Sequence, residues 1–349
     1  MTQHPSRRTV VAASAAAAAL AHPLAASAQT NAPSPAPSPT MQQVLDYVRG
    51  QNTTGFLIIQ NRQTLVEKNW QLDPGATKFR DDFTYGPASD GSLLEDVASQ
   101  QKSFVSFLAA TAVDKGLLDV NSPVSTYLGA GWSKASPAQE AQIQVIHVLT
   151  MSTGLGTSFG YATPPGTTFL YNTPVYATTK RIVAAAAKST IEAVTHDWLT
   201  APAGMTDTAW RKRPAAFADV GNPTGLVTTP RDTAKLGQIV LDGGKAADGT
   251  RIVSEAGLKA MFTRSPANPS YGRLWWLNGG AFTIKPLANR VDGPLIPAAP
   301  ADLVAALGAE DRKLYVVPSR QLVVVRMGQA ALDRGFDQQL WLRLMPALG

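Results

Sequence analysis

From Ser99 to Lys115 the chain reads SQQKSFVSFLAATAVDK. Wound at 3.6 residues per turn, its Phe104, Val105, Phe107, Leu108, Ala109, Ala112 and Val113 point in nearly every direction. A helix that is apolar all round cannot lie on a surface, so the rest of the chain has to fold around it. With 349 residues, 44% of them hydrophobic and 16% charged, there is enough material to bury it.

Several kinds of chemistry are excluded by composition. There is no cysteine, which removes disulfides, thiolate catalysis and zinc-thiolate sites. The N-terminus, MTQHPSRRTVVAASAAAAALAHPLAASAQT, pairs Arg7 with Arg8 before a short alanine-rich run and ends in an A-x-A pattern at Ala26 and Ala28. This is the pattern of a twin-arginine secretory signal over residues 1–28, and it predicts export to the periplasm or beyond. The run is broken by His22 and Pro23 and is too weak in Leu and Ile for a stable membrane span. Cleavage removes two arginines and no acid, lowering the formal charge from +6 by two, to +4. No Lys/Arg block accompanies that excess, so a small molecule or peptide is expected as partner rather than nucleic acid. Only His147 and His196 remain after cleavage, which leaves little for a Ser-His triad or a histidine metal site. Neither a metal nor an organic cofactor is expected.

Residues 29–40, QTNAPSPAPSPT, alternate proline with small polar residues and read as an extended linker. The folded part is expected from 41 to 349. MQQVLDYVRG is amphipathic, and GFLIIQ and TLVEKNW flank a turn-like NRQ as a β-hairpin. KLYVVP and LVVVRMG flank SRQ in the same way, and RGFDQQLWLRLMPAL puts Phe336, Leu340, Trp341 and Leu344 on one helical stripe. The middle, 117–229, is rich in Pro, Gly and Thr with short helical patterns. An α+β fold follows: one antiparallel sheet built from both chain ends (41–116 and 230–349) and flanked by helices, with a mostly helical lobe, 117–229, inserted between them.

Ser99 and Lys102 lie one helical turn apart, close enough for Oγ and Nζ to meet. The positive potential of a helix N-terminus and an apolar surround both disfavour the ammonium, and a neutral lysine can accept the serine proton. The same two residues also fit an N-cap and a lysine reaching out to solvent, and S-x-x-K alone does not decide between them. Downstream, PPGTTFLYNTPVYATTK fixes a turn and sets Tyr171 and Tyr176 behind it. A phenol beside an ammonium has a lowered pKa and can relay protons, although a buried amphipathic tyrosine is the commoner occurrence.

DVASQQKSF, DKGLLDVNSPVSTYLG, VIHVLTMSTGL, PPGTTFLY, GLVTTPRDTAKLGQIVLDGGK and YVVPSRQLVVVRMG, in that order, resemble the successive blocks of the β-lactamase-related serine hydrolases. That family includes class C β-lactamases, DD-peptidases, related esterases and 6-aminohexanoate-oligomer hydrolases. The resemblance implies Ser99 as acylated nucleophile, Lys102 as its base, and Tyr171 as the tyrosine of a Y-x-N motif that protonates the leaving group. The family's Lys-Thr-Gly motif falls on Ala306, Leu307 and Gly308, which makes the backbone N–H groups of Ser99 and Ala309 the oxyanion hole. Thr173 stands where the Asn of Y-x-N is expected, and Ala306 where the Lys is.

The two departures favour a substrate without the penicillin carboxylate, an ester or amide, over a β-lactam or D-amino-acid peptide. Thr173, Ala306 and Gly308 are expected in the substrate site, and Trp275 and Trp276 of YGRLWWLNGG as an acyl pocket or as core. Glu310 and Asp311 read as a solvated turn. A rival of another class is a non-catalytic ligand-binding protein on the same fold.

Overall fold

The computed structural model describes residues 39–215 and 221–349. The proposed leader 1–28 lies outside them, as does most of the linker. The first helix, Pro39–Arg49, starts two residues before the expected folded boundary, with a proline at its first position, where no N–H partner is needed.

Both hairpins form. β1 (Thr53–Gln60) and β2 (Gln63–Asn69) join through Asn61 and Arg62, both at positive φ, as a two-residue type I′ turn requires. β3 (Thr84–Pro87) and β4 (Leu93–Asp96) follow, then the long helix Gln101–Asp114. The middle of the chain supplies helices at Ser125–Leu128, Pro137–Glu140, Val145–Leu149, Thr173–Ala187 and Ile191–Thr195. It also supplies two strands that the periodicity did not single out, β5 (Ala209–Lys212) and β6 (Thr224–Thr228). After the helix Pro230–Leu241 come β7 (Trp276–Leu277), β8 (Phe282–Ile284), β9 (Arg290–Asp292), β10 (Val304–Gly308), β11 (Arg312–Val317) and β12 (Leu322–Gly328), then the helix Phe336–Leu348.

The fold is α+β, as expected. The large sheet runs β2-β1-β12-β11-β10-β7 with every pairing antiparallel, so strands from the two chain ends meet at β1 and β12. The LVVVRMG strand is buried along its whole length because both faces are covered. Gly237 of the helix Pro230–Leu241 packs on the face carrying Val323 and Leu314; a Cβ there would come within 2.7 Å of Val323. Tyr315 and Val324 lie on the opposite face, where Trp341 of the last helix meets Tyr315 edge-on at 5.5 Å. Arg326 is fully buried inside β12 and its guanidinium reaches the Thr53 hydroxyl and the carbonyls of Gln51, Glu310, Asp311 and Gln329. Those acceptors let a charge sit in the strand without stranded N–H groups.

A second sheet, β3-β4-β6-β5, joins two strands ahead of Ser99 to two from the 117–229 segment, which was expected to be mostly helical. β4 leads directly into Ser99.

The helix Gln101–Asp114 is buried from Gln101 through Ala112. Its hydroxyls do not face water: Ser103, Ser106 and Thr111 donate to the carbonyls of Leu274, Arg273 and Ile252 at 2.8, 2.5 and 2.9 Å. Each hydroxyl therefore ties a loop to the central helix instead of being stranded in the core.

Candidate active site

The turn that presents Ser99 is not a helix cap. Ser99 sits in a single 3-10 turn, Ala98–Gln100, ahead of the α-helix, and neither the turn nor the helix has a side-chain cap. Ala98 has φ +48°, a left-handed conformation that costs a residue with a Cβ about 1 kcal/mol. The Ala98 N–H donates to Asp96 Oδ1 at 2.8 Å, which holds it there. Asp96 in turn is gripped by Arg213, whose third bond goes to the Asn222 carbonyl at 3.1 Å.

Lys102 is 2% exposed, with Nζ 2.9 Å from Ser99 Oγ and 3.4 Å from Thr173 Oγ1. It lies over the rings of Tyr171 and Tyr176, 4.9 and 4.5 Å from their centroids. The ring faces favour an ammonium, but burial is the larger effect and holds Lys102 well below the ordinary lysine range. The charges of Arg213 and Lys180 push the same way. The buried carboxylates of β4 do not offset this, because Glu95 and Asp96 are bound to Arg312 and Arg213.

Tyr171 leaves its loop one residue before Asn172, whose carboxamide caps the helix Thr173–Ala187 and bonds the Leu155 carbonyl. The expectation of a lowered tyrosine pKa is corrected. Burial pushes the Tyr171 phenol up to about 12, with a hydrogen bond to Ser99 pulling the other way. At neutral pH it is an O–H donor, not a phenolate. Tyr176 is fully buried with its hydroxyl unpartnered, and burial raises its pKa well above the ordinary value.

β10 closes the site from the other side. At Gly308 a Cβ would lie 2.3 Å from the Val97 carbonyl and 3.3 Å from the Gln100 nitrogen, so only glycine lets the strand approach the serine turn. The register pairs Ala305 with Trp276, Ala306 with Leu314 and Leu307 with Lys313. Side chains alternate across a strand, so Trp276, Leu307 and Lys313 share the face that borders a cleft of about 350 Å³ beside Ser99 and Tyr171.

Two expectations fail on that alternation. Ala306 is fully buried on the opposite face and does not line the cleft. Trp275 also points away, fully buried, edge-on to Phe107 and Phe262 at 6.3 and 5.4 Å; it is core. Trp276 does line the cleft, stacked on Tyr171 at 5.8 Å. Thr173 reaches Lys102 rather than the cleft wall. Ala309 lines the cleft beside Gly308, with Ser99 opposite.

Glu310 and Asp311, at φ +60° and +56°, accept the N–H groups of Ala330 and Ala331 at 2.9 Å each; they brace a turn. Neither histidine borders the cleft: His147 accepts the Gln144 N–H and His196 pairs with Asp197. Sequence reading missed Lys285, Lys313 and Asp337 in the cleft wall and Asp96, Arg213 and Lys180 beneath the site. Asp96 alone left a signal, a charge at the end of a strand leading into a buried helix. Among the described residues no cluster of His, Asp and Glu could hold a metal ion, and no helix is long and apolar enough to cross a membrane.

Solved structures with this fold include a provisionally assigned β-lactamase from Bacteroides dorei, at TM-score 0.66 and 14% identity, covering 89% of this chain and 98% of that one. A provisionally assigned 6-aminohexanoate-dimer hydrolase from Bacillus anthracis matches at 0.63 and 16%, covering 88% and 81%. A β-lactamase from Mycobacterium bovis matches at 0.63 and 15%, covering 87% and 99%. At such identities the likeness establishes the fold alone. No curated protein matches the sequence. The β-lactamase family model, however, matches residues 43–343, most of the chain and all of the site just described, and so the chain belongs to the β-lactamase family.

Proposed function

We propose that this protein is an exported serine hydrolase that cleaves ester or amide bonds of small substrates through an acyl-enzyme on Ser99. The observation that carries the reading is the 2.9 Å contact between Ser99 Oγ and a buried Lys102 held towards its neutral form. Oγ attacks the carbonyl carbon as its proton passes to Lys102 Nζ. The negative charge that develops on the carbonyl oxygen is met by the N–H groups of Ser99 and Ala309. As the intermediate collapses, the Tyr171 O–H protonates the leaving group and the proton held by Lys102 restores the phenol. Water then attacks the acyl carbonyl with Lys102 again as base, freeing the acid and Ser99.

Thr173 is shorter than the Asn expected there, and its hydroxyl accepts from Lys102 at 3.4 Å, which leaves no side-chain amide to grip the amide of a β-lactam substrate. That feature supports small esters or amides over β-lactams. Treatment with a fluorophosphonate followed by intact-mass measurement should find one adduct, absent in Ser99→Ala. A panel of short acyl esters, aminohexanoate oligomers, D-amino-acid amides and a chromogenic cephalosporin should show ester or amide turnover. Much faster cephalosporin cleavage would replace this reading with a β-lactamase, and absence of any adduct would leave a binding protein. Export is tested by N-terminal sequencing of the mature protein, expected to begin at Gln29.

A further inference from the structure

The ionisable side chains of the cleft wall other than Tyr171 are Lys285, Lys313 and Asp337. Two of them are already spoken for. Lys313 lies between Asp311 and Asp337, 3.0 Å from an oxygen of each, and Asp337 also accepts the Tyr315 hydroxyl at 2.5 Å. Lys285 alone forms no ion pair with any described residue. Its nearest charged neighbours along the chain, Arg290 and Asp292, are paired with each other.

The position of Lys285 is built, although its side chain is exposed. Ile284, the residue before it, is held at both backbone groups by the Asn268 carboxamide: Nδ2 donates to the Ile284 carbonyl at 3.0 Å and Oδ1 accepts its N–H at 3.3 Å. Asn268 is fully buried. Behind Lys285, the Ala288 N–H closes a turn on its carbonyl at 3.2 Å, and Pro286 restricts the chain between them. An anchored backbone thus presents an unpaired ammonium beside the apolar walls of Trp276, Leu295 and Leu307.

We infer that Lys285 recognises an anionic group on the substrate, a carboxylate set off from the scissile carbonyl by an apolar spacer that lies along those walls. The inference rests on the serine-hydrolase reading and names the substrate class of the same site. A charge-assisted hydrogen bond from an ammonium in a partly enclosed cleft is worth about tenfold or more in binding.

Two matched substrate pairs test it: the 4-nitrophenyl monoester of glutarate against 4-nitrophenyl valerate, and 3-acetoxybenzoate against its methyl ester. They place the anion on the acyl side and the leaving-group side respectively. The measured quantity is the anionic-to-neutral ratio of kcat/KM within each protein, so that general effects of a substitution cancel. In at least one pair the ratio should favour the anion, decline with added salt, fall about tenfold in Lys285→Met and fall further in Lys285→Glu. Neutral-ester turnover with the same ratios in wild type and Lys285→Met overturns this inference and leaves the hydrolase reading standing. No turnover of any ester and no Ser99 adduct overturns both.

Discussion

Arg213 holds Asp96 through two hydrogen bonds, Nε to Oδ2 at 2.7 Å and Nη2 to Oδ1 at 2.9 Å, with both side chains almost wholly buried. The same Oδ1 takes the N–H of the left-handed Ala98, one residue before Ser99. Asp96→Asn keeps the shape but leaves a guanidinium facing a neutral amide, which costs about 3 kcal/mol when a buried pair loses one charge. Urea unfolding should register that loss. Under conditions where the variant is fully folded, kcat should fall more than KM rises, because the loosened element is the turn that aims Oγ.

The proposed mechanism requires Lys102 neutral, so the rate should fall as pH drops through the folded pKa of Lys102, which burial holds well below the usual lysine value. Lys102→Met should lose about a thousandfold or more in kcat/KM, and Lys102→Arg, always charged, no less. Lys180→Met removes one of the charges that disfavour the ammonium, so the acidic limb of the profile should move to higher pH. The move should be clearest below about 8, where Lys180 itself carries its charge. Stability has the same sign. Unfolded Lys102 binds its proton with ordinary affinity and folded Lys102 does not, so stability from this group rises with pH between the folded and the ordinary value.

Gly308→Ala inserts a Cβ at 2.3 Å from the Val97 carbonyl, a contact that backbone on both sides must relieve by moving apart. Overpacking of this kind costs about 2 kcal/mol, and the separation opens the gap between the Ser99 and Ala309 N–H groups. Thermal denaturation should show the first effect and a drop in kcat of more than about tenfold the second, since losing one oxyanion donor alone costs at least that much.

The two adjacent tryptophans should behave differently. Trp275→Ala empties a core position between Phe107 and Phe262 and should lower stability by about 3 to 5 kcal/mol, read by urea unfolding. Trp276→Ala removes the ring stacked on Tyr171 at the cleft wall and should act chiefly on KM and substrate preference.

Tyr171→Phe should lower kcat about a hundredfold while leaving the fold intact, because the stacked ring stays and only the donor is lost. Rates with activated 4-nitrophenyl esters, whose leaving group needs little protonation, should fall less than rates with amides.

Much of this was legible in the sequence where one strong pattern decides the outcome. An all-apolar helix has to be central, and the two hairpins and the last helix carry clean periodicities, whereas Ser99 and Lys102 stand out only through the order of family-like blocks and Trp276 reads as pocket or core. What could not be read depends on contacts between distant segments. β5 and β6 are short, and β5 has three of its four residues exposed, so neither has a marked alternation. The fate of Trp275 and Ala306 is set by the register of β7, β10 and β11, which no local pattern encodes. The Tyr171 pKa was misjudged because a neighbouring charge can be inferred from motif spacing, whereas depth of burial cannot. Arg213, Lys180 and Lys285 look like ordinary surface cations until the chain is folded.

The pairing of β1 with β12, Phe56 facing Arg326, has a consequence for how the protein comes into being. The centre of its large sheet joins one of the first strands to be synthesised with the last, and contacts of such separation form slowly. Until β12 is made, β1 has only β2 beside it, and nothing joins that pair to the strands β11 and β10. The large sheet, and with it the wall that β10 sets against Ser99, is therefore complete only once β12 is in place. A copy clipped before Leu322 keeps Ser99, Lys102, Tyr171 and β10 but loses the strand that joins β1 to β11, so it should give no fluorophosphonate adduct.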